Sequence, residues 1–412
     1  MDFSSYNFSP INPDFLHDPY PAYEHLRSKD PLHWSDLGFW VVSRFDDCRS
    51  TLIGKDFGQG DFVKNIQLFY GEDFDVLSHH SYAWLSRVFV MQDPPAHTRV
   101  RGLVAGALSL KRIRAMEPRI RELAVKLLDE YDKGDSDNFI ADFAYQFPTK
   151  VMCDMLGMRD DEYPPELLLK LNQAIADSFI VFETRALSDA ELAHADKQMQ
   201  FLTDVFDELF ASRRANPQND LTTALVQSQE AGESLTPEEL STSVIGLFGA
   251  GFETTAHMIG NGMYCLGKHP EQRQRLVEDP ILAAHTTEEV LRFESSLQAS
   301  YRTALVRQEL GGQVIEQGQR VLVLVAAANR DEDHFSNPDQ FDISEREQKP
   351  LTFGGGIHYC IGAELARIEG KVFFEELVKR YPNFSVDSAS ARLRPAFMFR
   401  GFEYLDVNLQ GR

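Results

Sequence analysis

From Pro95 to about residue 268, apolar positions recur at three- and four-residue steps, the spacing that gathers one face of an α-helix. Ile113, Met116, Ile120, Leu123, Leu127 and Tyr131 are the clearest run and predict one buried helix face. Asn216–Asp220 is polar and reads as a connector between helices. Thr236-Pro237-Glu238-Glu239 then supplies an N-cap, a proline at the first helical position and a capping-box acid. The pattern continues to Lys268, just before His269-Pro270, and predicts a helix of about 32 residues and ~48 Å, long enough to cross a domain. Short extended runs are few. Gly38–Val42 predicts a strand, Val314-Ile315 and Val321–Val325 predict a hairpin around Gln317-Gly318, and the C-terminal stretch looks extended. A short helix is expected near Ala22–Ser28. Residues 57–93 carry Phe57, Phe62, Phe69, Tyr70, Phe74, Tyr82, Trp84 and Phe89 without a steady period. So long a segment either covers the core irregularly, with room for a small helix, or lines a substrate site. The class is mainly α with a small β part.

Composition narrows the partners more than the fold. Of 412 residues, 43% are apolar and 25% charged, near globular averages, which excludes global disorder and a fibrous repeat. Lys and Arg number 41 against 63 Asp and Glu, a formal charge of −22. That balance disfavours nucleic acid, which needs a basic face, and an anionic membrane surface. Met1–Tyr6 lacks the basic and apolar regions of a signal peptide, and no run reaches the ~18 apolar residues of a membrane span. A cytoplasmic protein without a membrane span is expected. The chain shows no repeat, low-complexity tract or dividing linker, and residues 1–412 are expected to form a single domain. Cys48, Cys153, Cys265 and Cys360 have neither CxxC nor zinc-like spacing, which argues against a disulfide framework.

One of those cysteines carries the strongest chemical signal. In Phe353-Gly354-Gly355-Gly356-Ile357-His358-Tyr359-Cys360-Ile361-Gly362-Ala363, successive glycines permit positive φ and close approach to a flat ligand. Cys360 precedes a helical stretch whose first amides favour the thiolate, a good axial ligand for haem iron. Taken alone, a cysteine beside a glycine turn is more often a buried apolar residue. The full spacing Phe-x-x-Gly-x-His-x-Cys-x-Gly resembles the haem-binding loop of the cytochrome P-450 family of haem-thiolate monooxygenases. Three more segments match that family in order: His97 and Arg101 after Asp93-Pro94-Pro95, Ala250-Gly251-Phe252-Glu253-Thr254-Thr255 midway along the long helix, and Glu289-Val290-Leu291-Arg292. The resemblance covers essentially the whole chain.

It implies the family's fold, with the long central helix over haem b, Cys360 as iron ligand, and Phe353, Gly354 and Gly362 shaping the loop. Ala250 and Gly251 would border the haem, Glu253 and Thr254 would deliver protons to the dioxygen being reduced, and His97, Arg101, Arg302 and His358 would hold the two propionates. The sequence departs from the family pattern at Ser296, where proline is frequent, at Glu345, where arginine is common and Arg346 comes one residue later, and at Pro350, where histidine is common. Whether Arg346 joins Glu289 and Arg292 is left open. Gly246, Gly249 and Gly251 each cost the long helix about 0.5–1 kcal/mol relative to alanine, so either something lies against its backbone or neighbouring helices pack very closely.

Between His97 and Arg121, seven cations (Arg99, Arg101, Lys111, Arg112, Arg114, Arg119, Arg121) face one acid, Glu117, a local +6. Such a run can be a merely solvated face. In the family this region borders the thiolate side of the haem, which implies docking of an acidic ferredoxin-type electron donor at Arg99–Arg121. No fused reductase is expected, so electrons would come from a separate ferredoxin and ferredoxin reductase. The implied reaction is hydroxylation or epoxidation of a lipophilic small molecule with O2, in secondary metabolism. Candidate walls for that substrate are segment 57–93, Phe179–Phe182, Ile245–Phe252 and Leu297–Ser300. A haem-thiolate peroxygenase and a non-catalytic haem protein are the alternatives, and the Glu253-Thr254 pair counts against both.

Overall fold

The computed structural model describes residues 6–134, 136–159, 162–230 and 235–410; the N-terminal reading of Met1–Ser5 lies outside the described residues. The helices that bear on the site are α1 (Ala96–Ala107), α2 (Glu117–Lys133), α3 (Gln146–Leu156), α4 (Pro165–Ser178), α5 (Asp189–Ala215), α6 (Pro237–Lys268), α7 (Ala283–Phe293) and α8 (Ala363–Arg380). The strands are β1 (Leu32–Ser35), β2 (Phe39–Val42), β3 (Phe57–Gly58), β4 (Ser300–Ala304), β5 (Gln308–Leu310), β6 (Gln313–Ile315), β7 (Arg320–Val323), β8 (Ser385–Leu393) and β9 (Phe402–Asn408). The mainly helical class with a small β part is as expected. Two compact units are distinguished: one of Met1–Phe57, Arg114–Pro148 and Thr254–Arg412, the other of Gly58–Ile113 and Thr149–Glu253.

The long helix begins where its capping signals predict. The Glu239 amide donates to Thr236 Oγ1 at 3.1 Å and the Thr236 amide to Glu239 Oε2 at 2.9 Å, a reciprocal pair that satisfies two amides at the helix entry. From there α6 runs 32 residues.

In the second unit, segment 57–93 folds into helices Phe62–Tyr70 and His80–Arg87 with 3-10 turns at Val76–Ser78 and Phe89–Met91. Their missing period has a physical cause: contacts distant in sequence hold the segment together. Tyr70 stacks on Phe74 with centroids 4.0 Å apart, Phe74 on His79 at 5.2 Å, and His79 Nδ1 meets Asp196 of α5 at 3.1 Å. Asp93 accepts from the amides of Gln59 and Gly60 at 2.8 and 2.9 Å.

In the first unit the main sheet has the order β1-β2-β7-β4-β3. The expected hairpin around Gln317-Gly318 is not formed between its two runs. β6 pairs instead with β5 across Gly311-Gly312, whose φ of 56° and 80° suit the turn of a tight hairpin. β7, buried at all four positions, lies parallel to β2 and antiparallel to β4. A continuous apolar run fits a central strand better than one arm of an exposed hairpin. The C-terminal extended reading holds, as β8 and β9 pair antiparallel.

A buried ion pair fixes the approach to the cysteine loop. Glu289 and Arg292 of α7 have side chains 1% exposed, and Arg292 donates through Nε and Nη2 to the two Glu289 oxygens at 2.8 and 2.7 Å. The remaining guanidinium protons go to the carbonyls of Asn329, Pro338 and Gln340 at 3.1, 2.8 and 3.1 Å. Arg346 does reach Glu289, with Nε 3.0 Å from Oε2, so its shift by one residue does not remove it from the network. Thr352 Oγ1 donates to the Leu291 carbonyl at 2.6 Å and accepts from Asn329 Nδ2 at 2.9 Å. Residues 329–352 are thus pinned to α7 immediately before Phe353. Replacing Glu289 by alanine would strand the Arg292 charge at a cost of about 3–5 kcal/mol, a large part of a typical ~5–15 kcal/mol total. Arg346→Ala, at a 20% exposed side chain, should cost about half as much or less. Urea unfolding of the holoprotein measures both; a loss below about 1 kcal/mol for Glu289→Ala would contradict the assigned role.

Candidate active site

The cysteine loop is held by its own backbone and by glycines that no other residue replaces. The Gly354 amide donates to the Leu351 carbonyl at 2.7 Å and the Cys360 amide to the Phe353 carbonyl at 2.8 Å. Gly354 and Gly356 have φ of 70° and 63°. At Gly356 a Cβ would also come within 3.0 Å of the Leu52 carbonyl oxygen and 3.1 Å of Ile53 Cα, so both conformation and close approach require glycine. The Arg367 guanidinium of α8 lies 4.5 Å from the Phe353 ring centroid and donates to Glu288 at 2.5 Å and to the Tyr359 hydroxyl at 3.2 Å. Arg367 had no part in the sequence-based expectation.

Cys360 is exposed, three residues before α8, whereas Cys48, Cys153 and Cys265 are buried. Burial pushes the thiols of Cys48 and Cys265 well above their ordinary range and keeps them as SH. Of the four, Cys360 is therefore the sulfur open to a ligand. Gly362 follows it, and His358 is half-buried in the turn Gly356–His358. Arg302, in the same unit on β4, is 4% exposed and donates to the Tyr301 carbonyl at 2.7 Å and Ser300 Oγ at 3.1 Å.

Between Ser241 and Met263, α6 is buried except at Gly246, Ala250, Gly251 and Thr254. Positions 246, 250 and 254 are one turn apart, so the accessible stripe of this helix is made of its smallest side chains and ends on a hydroxyl. Glu253, beside it, is 1% exposed. The two explanations offered for the helix glycines can now be separated. A Cβ at Gly249 would strike the Phe179 ring and stand 3.0 Å from Ile175 Cγ2, and one at Gly251 would stand 2.5 Å from Met152 Sδ. Close packing requires both. Gly246 has only an ordinary contact, with Val88 Cγ1 at 3.4 Å from its would-be Cβ. Phe179, a candidate substrate wall, is 6% exposed and serves this packing. His97, 2% exposed, and Arg101 lie four residues apart on α1 in the second unit.

The basic run is less free than its count suggests. In the first unit Arg114 pairs with Glu364 at 2.7 Å, Arg119 with Glu122 at 3.0 Å, and Arg121 with Glu117, Glu375 and Glu376 at 3.3, 2.9 and 2.5 Å. In the second, Arg99 pairs with Glu239. Among the described residues, Lys111 is the exposed cation of the stretch outside these pairs, and Arg112 is half-buried.

The sequence matches the family model described as Cytochrome P450 over residues 51–394. The chain belongs to the cytochrome P450 family. It is 31% identical to a vitamin D(3) 25-hydroxylase of Pseudonocardia autotrophica, over 97% of this chain and 95% of that protein. It is 30% identical to the polyketide biosynthesis cytochrome P450 PksS of Bacillus subtilis, over 98% of each. Among solved structures it resembles P450BioI in complex with an acyl carrier protein bearing hexadec-9Z-enoic acid, with 31% identity, a TM-score of 0.83 and coverage of 96% and 99%.

Members of the family are haem-dependent oxidoreductases that bind haem b, and haem b is the cofactor of this P450. An exposed sulfur on a loop shaped by left-handed glycines fits a flat, sulfur-ligated ring. No helix among the described residues is long and apolar enough to cross a membrane. Gly249→Ala should destabilise this P450 by about 1–3 kcal/mol although alanine is the better helix former, and Phe179→Leu should recover much of the loss. Thermal unfolding of the two single variants and the double variant checks this; additive losses would deny the contact.

Proposed function

We propose that this P450 hydroxylates or epoxidises a lipophilic small molecule in secondary metabolism, with electrons from a separate ferredoxin-type donor. The observation that carries the reading is the exposed Cys360 at the start of α8, on a loop whose two left-handed glycines hold its shape. Haem b, when bound, activates dioxygen reductively and inserts one oxygen atom into substrate, the other leaving as water.

The protein's residues divide that task. Cys360 serves as the thiolate ligand, and the amides opening the 18-residue helix α8 favour its anionic form. His97, Arg101, Arg302 and His358 supply donors and positive charge for the two propionates. Phe353, Gly354 and Gly362 shape the loop, and Ala250 and Gly251 leave room beside the ring. Thr254, the hydroxyl on the accessible stripe, orients the oxygen end of the site and donates a proton. Glu253 returns a proton to that hydroxyl from a side chain shielded from solvent. Net delivery of two protons and two electrons accompanies each oxygen inserted. This acid–hydroxyl pair supports reductive activation over direct use of peroxide.

The vitamin D(3) hydroxylase and PksS, by their names, and P450BioI, by its acyl cargo, support a lipophilic substrate. An acidic donor suits exposed Lys111 and half-buried Arg112.

The reduced protein under carbon monoxide should show the thiolate-type Soret band, and Cys360→Ala should abolish it; a histidine-type spectrum in the wild type would overturn the reading. Thr254→Ala should divert reducing equivalents to hydrogen peroxide, read as peroxide formed per NADPH with a ferredoxin and its reductase; unchanged coupling removes Thr254 from the relay. Electron transfer from an acidic ferredoxin should slow as salt is raised, and a flat rate would deny the charged docking.

A further inference from the structure

The helix that follows the cysteine loop lays a cation on it. The Arg367 guanidinium of α8 stands over the Phe353 ring, 4.5 Å from its centroid, and donates through Nη1 to the Tyr359 hydroxyl at 3.2 Å. Both partners belong to the loop: the Phe353 carbonyl accepts from the Cys360 amide at 2.8 Å, and Tyr359 directly precedes Cys360. Through Nε the same guanidinium donates to Glu288 Oε1 of α7 at 2.5 Å. Burial works against the charge of Arg367, but its hydrogen bonds to Glu288 and Tyr359 outweigh that and hold the guanidinium charged at every working pH.

A clamp between α7 and α8 would need only the Glu288 contact. Arg367 also meets a ring and a hydroxyl of the loop, and so brings positive charge to the segment that carries the sulfur. The pair is a dipole with its positive member on the cysteine loop and its negative member on α7. Its side chains are 31% and 21% exposed, so water screens it only in part. We propose that Arg367 raises the reduction potential of the sulfur-ligated haem, with Glu288 as the counter-charge that moderates it. The inference rests on the reading of Cys360 as the thiolate ligand given above.

Reduction by the ferredoxin-type donor transfers one electron and makes or breaks no bond in this chain. The haem–thiolate centre gains one negative charge. A fixed cation on the loop favours that state and a fixed anion opposes it, so Arg367 and Glu288 push the potential in opposite directions. The push of Arg367 is the larger, because it is the member that touches the loop. Purely structural damage would act otherwise: losing either residue breaks the same contact between α7, the loop and α8, and would move the potential the same way.

Redox titration of the substrate-free holoenzyme, followed by haem absorption, reads this without a known substrate. Arg367→Leu should lower the equilibrium constant for one-electron reduction by about two- to ten-fold, or ~20–60 mV at ~59 mV per ten-fold. Glu288→Gln, which keeps the side chain's size and an acceptor for Arg367, should raise that constant by about two-fold or more. A shift under about two-fold in either variant, or shifts of the same sign in both, overturns the proposal. Should Arg367→Leu fail to bind haem, Glu288→Gln alone decides by the same limit.

The wild-type carbon monoxide spectrum keeps the two readings apart. A thiolate-type band with unmoved potentials sinks the Arg367 proposal and leaves Cys360 as the ligand. A histidine-type band sinks the Cys360 reading and this inference with it.

Discussion

Arg292 is the constraint on which the first unit's chemistry depends. A guanidinium 1% exposed must have nearly every proton satisfied, and here Glu289 and three backbone carbonyls take them. The carbonyls come from Asn329, Pro338 and Gln340, in the irregular chain that leads to the cysteine loop. A segment with little regular structure of its own is thereby given one path. Thr352, bonded to the Leu291 carbonyl, carries that definition to the residue before Phe353. The precision of the Cys360 loop is borrowed from a buried charge more than from local propensity.

Helix α6 meets two demands with one type of residue. Gly249 and Gly251 admit Phe179, Ile175 and Met152 against its backbone, while Gly246, Ala250 and Gly251 leave an accessible strip ending at Thr254. Small residues cost helix propensity in either role, and tight side-chain packing repays it. The helix can be buried nearly all round and still present a polar group beside that strip. Charge follows a similar logic. Most of the basic stretch is spent on internal ion pairs, so a run of arginines in the sequence is a weaker external field than its count implies.

The buried acids show how context, and not residue type, sets chemistry. Glu289 and Glu294 face arginines, whereas Glu369 is buried with no cation beside it among the described residues. The first two are structural counter-ions. Burial holds the third well above the usual carboxylate range.

Much of this was legible from one-dimensional pattern. The 3.6-residue period and the Thr236–Glu239 capping signals located α6 to its first and last residues, because helix caps are local chemistry. The loop motif marked Cys360, because cysteine, glycines and helix start lie within eleven residues of one another. A period argument could also have found Glu369, since Leu365, Glu369 and Phe373 share a buried helix face on which an acid is out of place. Other features were beyond the sequence. The strand partners of β6 and β7, the helices inside 57–93, the reach of Arg346 to Glu289 and the pairing of the basic run all join residues far apart in the chain. Sequence fixes what each short stretch can do by itself. Only the folded chain decides which distant groups meet, because burial and pairing, which set the energy of a charge or a strand edge, are properties of three-dimensional neighbours.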